Sequence, residues 1–174
     1  PIDAVIIGMI GRYDPFKNHK IFLELVANML PLKESMYFVM AGTNVVWGNQ
    51  DLIEGSNNLP RDRVILLGEL NDTIDILCSL DFLILPSLAE SFPNILGEAM
   101  ACGSCPITAD VGDCAEIMGS RALVSNANTV DAYKNLLIKY IDDPVSRFEI
   151  TVELRKRINS IYSIDSIAKK YLIN

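Results

Sequence analysis

Short, continuously apolar runs alternate with helix-patterned segments along most of this 174-residue chain. The apolar runs fall at 4–10, 37–41, 64–67, 82–85 and 106–109, with a shorter one at 122–124. They lack the period-two alternation of a strand with one wet face, so both faces of the sheet are expected to be covered. Helical patterns occupy 20–30, 50–58, 73–79, 95–101 and 115–118 between them. That alternation predicts an α/β fold, a doubly wound parallel sheet of about six strands. After residue 124 the pattern turns helical. Segment 130–141 carries Ala132, Leu136, Leu137 and Tyr140 on one side, Asp143-Pro144 reads as a helix start, and 145–158 and 166–172 are helical too. These extra C-terminal helices are expected to pack on the sheet or reach beyond it. With no repeat, low-complexity tract or linker, 1–174 reads as a single domain.

Composition narrows the function classes. A net charge of −7 argues against nucleic acid, whose phosphate backbone requires a basic face. No apolar run approaches the roughly 18–20 residues that span a bilayer. The chain begins at Pro1 without an initiator Met or a signal-peptide pattern, and reads as a piece of a longer enzyme working in the cytoplasm. Cys102-Gly-Ser-Cys105 is formally a C-x-x-C, yet it follows a helical stretch, whereas a redox pair sits at a helix N-terminus. A zinc site needs two more ligands, and Cys114 and the single histidine, His19, are far apart in sequence. The four cysteines therefore read as reduced thiols, and no metal ligands and no cofactor are assigned.

The chemistry-bearing residues cluster where apolar runs end. The first run ends at Ile10-Gly11-Arg12, and Lys17 follows five residues after Arg12. In an open parallel sheet, ligands bind beside the carboxyl ends of the strands. There, a forked guanidinium and a compact ammonium suit a diphosphate. The spacing of Gly8 and Gly11 lacks the G-x-G-x-x-G of a dinucleotide fold. Gly42 reads chiefly as a turn glycine. Gly68 would let the backbone approach a flat base, and Leu70 would pack on that base.

The most specific segment is 90–98, E-S-F-P-N-I-L-G-E. Glu90 leaves a buried strand and is expected to face a sugar. Pro93 suits a first helical turn, after which the free N–H groups of Asn94, Ile95 and Leu96 would face an anion. Glu98 lies farther into that helix, placed to accept hydrogen bonds from a ribose diol, as an acidic residue does in dinucleotide folds. Downstream, Gly112 permits a sharp turn, Asp113 is a candidate helix cap, and Glu116 reads as structural.

In combination these motifs resemble the C-terminal domain of the group 1 retaining glycosyltransferases, enzymes of GT-B architecture with two facing Rossmann-like domains. The resemblance rests on I-G-R-Y-D-P-F-K-N-H at 10–19, V-I-L-L-G at 64–68, D-F-L-I-L-P-S at 81–87, E-S-F-P-N-I-L-G-E-A-M-A-C-G at 90–103 and A-D-V-G-D-C-A-E-I at 109–117. It implies one half of a GT-B fold that binds a UDP- or GDP-linked sugar. Arg12 and Lys17 would hold the diphosphate, Glu90 would meet the donor sugar and Glu98 the ribose. It also implies metal-independent transfer with retention, in polysaccharide or glycolipid biosynthesis. A saccharide or lipid-linked acceptor would be held by an N-terminal domain absent from this chain, so the piece alone would bind nucleotide without transferring sugar. Peripheral membrane association of the full-length protein fits that role. Two departures stand out, because many relatives carry Gly where this chain has Pro93 and Asp113. Two other readings are a sugar-nucleotide 2-epimerase half-domain and a non-catalytic nucleotide-sugar binding domain; the complete G-R-x4-K plus E-x7-E set argues against both.

Overall fold

A computed structural model describes residues 3–54, 58–163, 166 and 168. Six parallel strands form one sheet: β1 (Val5–Ile10), β2 (Met36–Ala41), β3 (Val64–Leu66), β4 (Phe82–Leu85), β5 (Cys105–Ala109) and β6 (Val124–Ser125). Their spatial order is β3-β2-β1-β4-β5-β6. The chain winds outward from β1 through β2 to β3, then returns to place β4 on the other side of β1. The winding direction therefore reverses between β1 and β4, which opens a crevice at the carboxyl ends of those two strands.

Seven helices complete the described architecture: α1 (His19–Met29), α2 (Gln50–Ile53), α3 (Ile74–Ser79), α4 (Asn94–Cys102), α5 (Cys114–Met118), α6 (Val130–Asp142) and α7 (Pro144–Ile161). Two layers result: α1 packs with α6, while α3, α4, α5 and α7 pack among themselves. Every residue of β4 and β5 is buried, which explains why their sequences are apolar without alternation. On α1, Phe22, Leu23, Leu25, Val26 and Met29 recur at helical spacing and are buried against the sheet. Burying each such side chain contributes about 1.5–3 kcal/mol, so Phe22→Ala removes one of the largest single contributions to this layer.

The doubly wound parallel sheet expected from the sequence is the fold observed, and α6 and α7 do pack on it. Three boundaries differ. The last strand is β6 at Val124–Ser125 rather than 122–124, because Val124 N–H first closes a turn onto the Arg121 carbonyl. The helix expected over 50–58 is described only as α2, since Glu54 leaves helical geometry at ψ 121°; residues 55–57 lie outside the described residues. The third strand stops at Leu66. Of the helix expected over 166–172, only Ser166 and Ala168 are among the described residues.

Candidate functional site

The β1 exit is organised by local turn chemistry. Asp14 caps a 3₁₀ turn over Pro15–Lys17, accepting the Phe16 N–H at 2.8 Å, and Pro15 occupies its first turn. Asn18 then takes the left-handed conformation (φ 58°), which asparagine tolerates, and redirects the chain into α1. This brings Lys17 back over the sheet end. Its stem lies 3.7–3.9 Å from the point where a side chain on Gly11 would begin, an ordinary contact distance, so the lysine packs over Gly11.

The β4 exit supplies the partner. Lys17 Nζ meets Glu90 Oε1 at 2.6 Å. The same oxygen accepts Ser87 Oγ–H at 2.7 Å, and Ser87 is fully buried. The carbonyls before it are braced by side-chain amides from distant parts of the chain. Asn18 donates to the Pro86 carbonyl, and Asn128 donates to the carbonyls of both Pro86 and Ser87. Asn128 is in turn held by the hydroxyl of Tyr133 at 3.0 Å. A backbone bond from Leu88 N–H to the Phe16 carbonyl, at 2.7 Å, ties the two exit loops together.

Arg12 takes a different position from Lys17. Its side chain is 71% exposed and reaches Asp14 Oδ2 through two long contacts of 3.4 Å, with no contact to Glu90. The Asp14 carboxyl is held below its ordinary value, first by the Phe16 N–H and further by Arg12 and Lys17. Both cations thus act on one carboxylate at the mouth of the crevice.

Two close backbone approaches shape the walls. Gly42, after β2, sits at φ +145°, and a Cβ there would lie 2.2 Å from the Gly11 carbonyl oxygen. Gly112, after β5, sits at φ +51°, and a Cβ there would lie 2.0 Å from the Glu90 carbonyl oxygen. Gly42 is therefore more than a turn residue, since it lets the β2 exit press against the loop that carries Arg12 and Lys17. Gly68 is buried, and its backbone is already engaged: its N–H donates to Val45 and its carbonyl accepts from Gly42. Any contact it makes with a base is therefore through its face rather than through those polar groups. Leu70 is half-buried against the core.

Helix α4 begins at Asn94, one residue ahead of the helical pattern expected at 95–101. Pro93 is the N-cap, not a first-turn residue, at ψ 96°. Leu96 N–H closes a tight turn onto the Pro93 carbonyl at 3.0 Å, so it is not free to face an anion. Among the described residues, the N–H groups of Asn94 and Ile95 have no acceptor. Glu98 is exposed on α4 and accepts Thr73 Oγ1–H at 3.3 Å. Asp113 occupies the N-cap of α5, but its side chain makes no capping bond there, because its backbone lies at φ −89°, ψ 10°, away from the extended geometry a cap uses. The backbone carbonyl of Glu116 accepts Arg157 from α7.

The cysteines are free thiols. Cys102 is the last residue of α4, the opposite end from a redox position. Burial pushes Cys105 up to about 12 and Cys114 to about 11; Cys102, by burial and the neighbouring Cys78, also reaches about 11. None of these three is a thiolate near neutral pH. No three His, Cys, Asp or Glu side chains converge as metal ligands among the described residues. No described helix is long and apolar enough to cross a membrane. A groove of about 570 Å³ lies behind the β1 loop, lined by Tyr13, Asp14, His19, Leu23, Leu52 and Leu59 among others; it excludes Lys17, Glu90 and Glu98.

The structure therefore brings Gly11, Lys17 and Glu90 together, with Asn94 and Ile95 at the start of the helix that carries Glu98. Ser87, Asn128, Tyr133 and Thr73 escaped the sequence reading. Ser87 alone had a local signal, since it follows a buried strand three residues before Glu90.

Known proteins are similar to this chain in sequence and in fold. The GPI3 subunit of phosphatidylinositol N-acetylglucosaminyltransferase from Saccharomyces cerevisiae is 28% identical over 92% of this chain and 39% of its own length. A UDP-Gal:alpha-D-GlcNAc-diphosphoundecaprenol alpha-1,3-galactosyltransferase from Escherichia coli is 26% identical over 98% of this chain and 46% of its own. The chain thus spans less than half the length of these curated relatives. Among solved structures, Anabaena HepE with UDP superposes at a TM-score of 0.85, with 18% identity over 98% of this chain and 48% of that one. Sucrose-phosphate synthase from Thermosynechococcus elongatus superposes at 0.82, with 20% identity over 98% and 44%. Both show that the fold is a Rossmann-like domain of GT-B type. The model of the family described as glycosyl transferases group 1 matches residues 4–143, and the chain belongs to that family.

Proposed function

We propose that this chain is the donor-binding half of a retaining, metal-independent glycosyltransferase that takes its sugar from a nucleoside diphosphate. The observation that carries the reading is the 2.6 Å pairing of Lys17 with Glu90 across the two strand ends where the sheet reverses direction. One group suits a leaving diphosphate and the other a sugar, and the pair fixes them side by side. The hard step is departure of an anionic nucleotide. An ammonium has three donors, so Lys17 can take a phosphate oxygen while still facing Glu90. Arg12 adds charge at the mouth, and the unpaired N–H groups of Asn94 and Ile95, with the α4 dipole, act on the same anion. No metal is needed in this scheme, since fixed cations and amide dipoles cover the developing charge. Glu90 faces the sugar, Glu98 accepts the ribose diol, and Leu70 with the Gly68 turn borders the base. The acceptor hydroxyl enters on the face that the phosphate leaves, which preserves the anomeric configuration.

A UDP-linked donor is favoured, because UDP is named for both the Escherichia coli relative and the HepE complex. A lipid-linked acceptor is favoured by the phosphatidylinositol and diphosphoundecaprenol in the relatives' names. The complete protein would then work in the cytoplasm, peripherally at the membrane face, with its other half holding the acceptor.

The test uses the complete protein. Titration calorimetry with UDP and UDP-sugars is expected to show binding, and Lys17→Ala is expected to lower turnover about a hundredfold or more. Transfer should require an acceptor. Conversion of donor alone into an epimer, or unchanged turnover in Lys17→Ala, would overturn the assignment.

A further inference from the structure

Glu90 Oε1 receives two donors, Lys17 Nζ at 2.6 Å and Ser87 Oγ–H at 2.7 Å. Among the described residues, Oε2 receives none. The carboxylate is therefore anchored through one oxygen and presents the other. The two anchors differ in kind. Lys17 sits on a flexible four-carbon stem, and on the function proposed above it also serves the donor's diphosphate. Ser87 has no such second task. It is fully buried, Glu90 is the partner its hydroxyl makes, and its backbone is pinned through the amide of Asn128. Asn128 also holds the Pro86 carbonyl, as Asn18 does, and is itself held by Tyr133. A hydroxyl placed on so braced a segment can hold a carboxylate at a fixed position.

We propose that Ser87 is a positioning residue: it keeps Glu90 in place as Lys17 turns toward the donor diphosphate, leaving Oε2 as the oxygen that meets the sugar. The inference rests on the donor-binding role of this crevice. Ser87 does not touch substrate, and its whole effect runs through Glu90. Without it, Glu90 would be held by Lys17 alone, through a single contact on a flexible stem that also serves the diphosphate. The consequence is an effect on the sugar-transfer step rather than on nucleotide binding, because misplacement of a reacting group by about 1 Å costs on the order of a hundredfold in rate.

The test compares Ser87→Ala, Glu90→Ala and the double variant in the complete enzyme, measuring kcat, affinity for UDP and thermal midpoint. Ser87→Ala is expected to lower kcat about tenfold or more, with UDP affinity within about twofold of the parent and the midpoint nearly unchanged. In the Glu90→Ala background, removing the hydroxyl is expected to cost nothing further. A kcat within twofold of the parent would overturn the proposal. So would an equal fall in kcat and UDP affinity, or a full additional loss in the double variant, since either means that the loop is merely displaced. Absence of UDP binding in the parent enzyme would instead reject the donor-binding reading on which the proposal stands.

Discussion

Replacing Gly112 by Ala tests how the β5 exit supports Glu90. At Gly112 the backbone sits at φ +51°, and the added Cβ would lie 2.0 Å from the Glu90 carbonyl oxygen, 2.7 Å from its carbon and 2.9 Å from the Ser91 oxygen. Ordinary contact begins near 3.4 Å, so the two loops must part by about 1.4 Å. All three neighbours are backbone atoms, so no rotamer change can relieve the clash. The left-handed conformation alone costs a non-glycine residue about 1–2 kcal/mol, which lowers the thermal midpoint of a domain this size by about 2–8 °C. The larger effect is kinetic. A shift of this size at Glu90 is expected to lower kcat on the order of a hundredfold, while UDP affinity changes only a few-fold because Arg12 lies on the β1 exit and Glu98 lies farther on, within helix α4. Gly103→Ala is the control: its φ is +86°, but nothing lies within 4 Å of the added Cβ. It should lose only the stability of the left-handed conformation and keep its rate. The assay is transfer by the complete enzyme, with calorimetric melting of each variant. If Gly112→Ala retains kcat within threefold, or if Gly103→Ala loses as much rate, the coupling between these loops is wrong.

Other outcomes follow from individual contacts. Glu98→Ala is expected to weaken UDP binding about tenfold or more, since a hydrogen bond to a charged group is worth about 1.5–3 kcal/mol. Thr73→Val, which removes the 3.3 Å hydrogen bond to Glu98, should weaken it only a few-fold. Calorimetry showing Thr73→Val as the more damaging change would contradict this order. His19 is buried and its imidazole is held below the ordinary 6.5, chiefly by desolvation, which outweighs its contact with the Gly11 carbonyl. The unfolded chain therefore binds this proton more readily. The resulting stability is fully present above pH 6.5 and is lost as pH falls through the ordinary value toward the lower folded one. Denaturant unfolding at pH 7.5 and 5.5 should show that loss in the parent and less of it in His19→Gln; equal losses would rule it out.

The site was partly legible because its chemistry is carried by loops whose sequence marks them. Lys17 and Glu90 each follow an apolar run, and a parallel sheet puts the ends of such runs on one edge. Two details of the same motif were misread for local reasons. Pro93 can cap a helix as readily as open one, since its fixed φ suits both, and the cap is decided by ψ, which the residue type leaves free. Leu96 lost its expected role because its N–H was consumed by the tight turn that this start produces. Arg12 lies on the right loop, but its reach toward Asp14 depends on how the 3₁₀ turn folds.

Hydrophobic periodicity alone determined that this chain forms a parallel α/β sheet, because runs without alternation must be buried on both faces. Spacing alone placed two cations and one carboxylate on strand-exit loops, and a second carboxylate on the helix that follows. Only the tertiary structure decided which of them meet. The winding reversal between β1 and β4 joins residues 73 positions apart in Lys17 and Glu90, and the amide of Asn128 reaches back 41 positions to the Ser87 carbonyl. Such contacts are set by crossover geometry and loop packing, which depend on the whole sheet, and no local pattern encodes them.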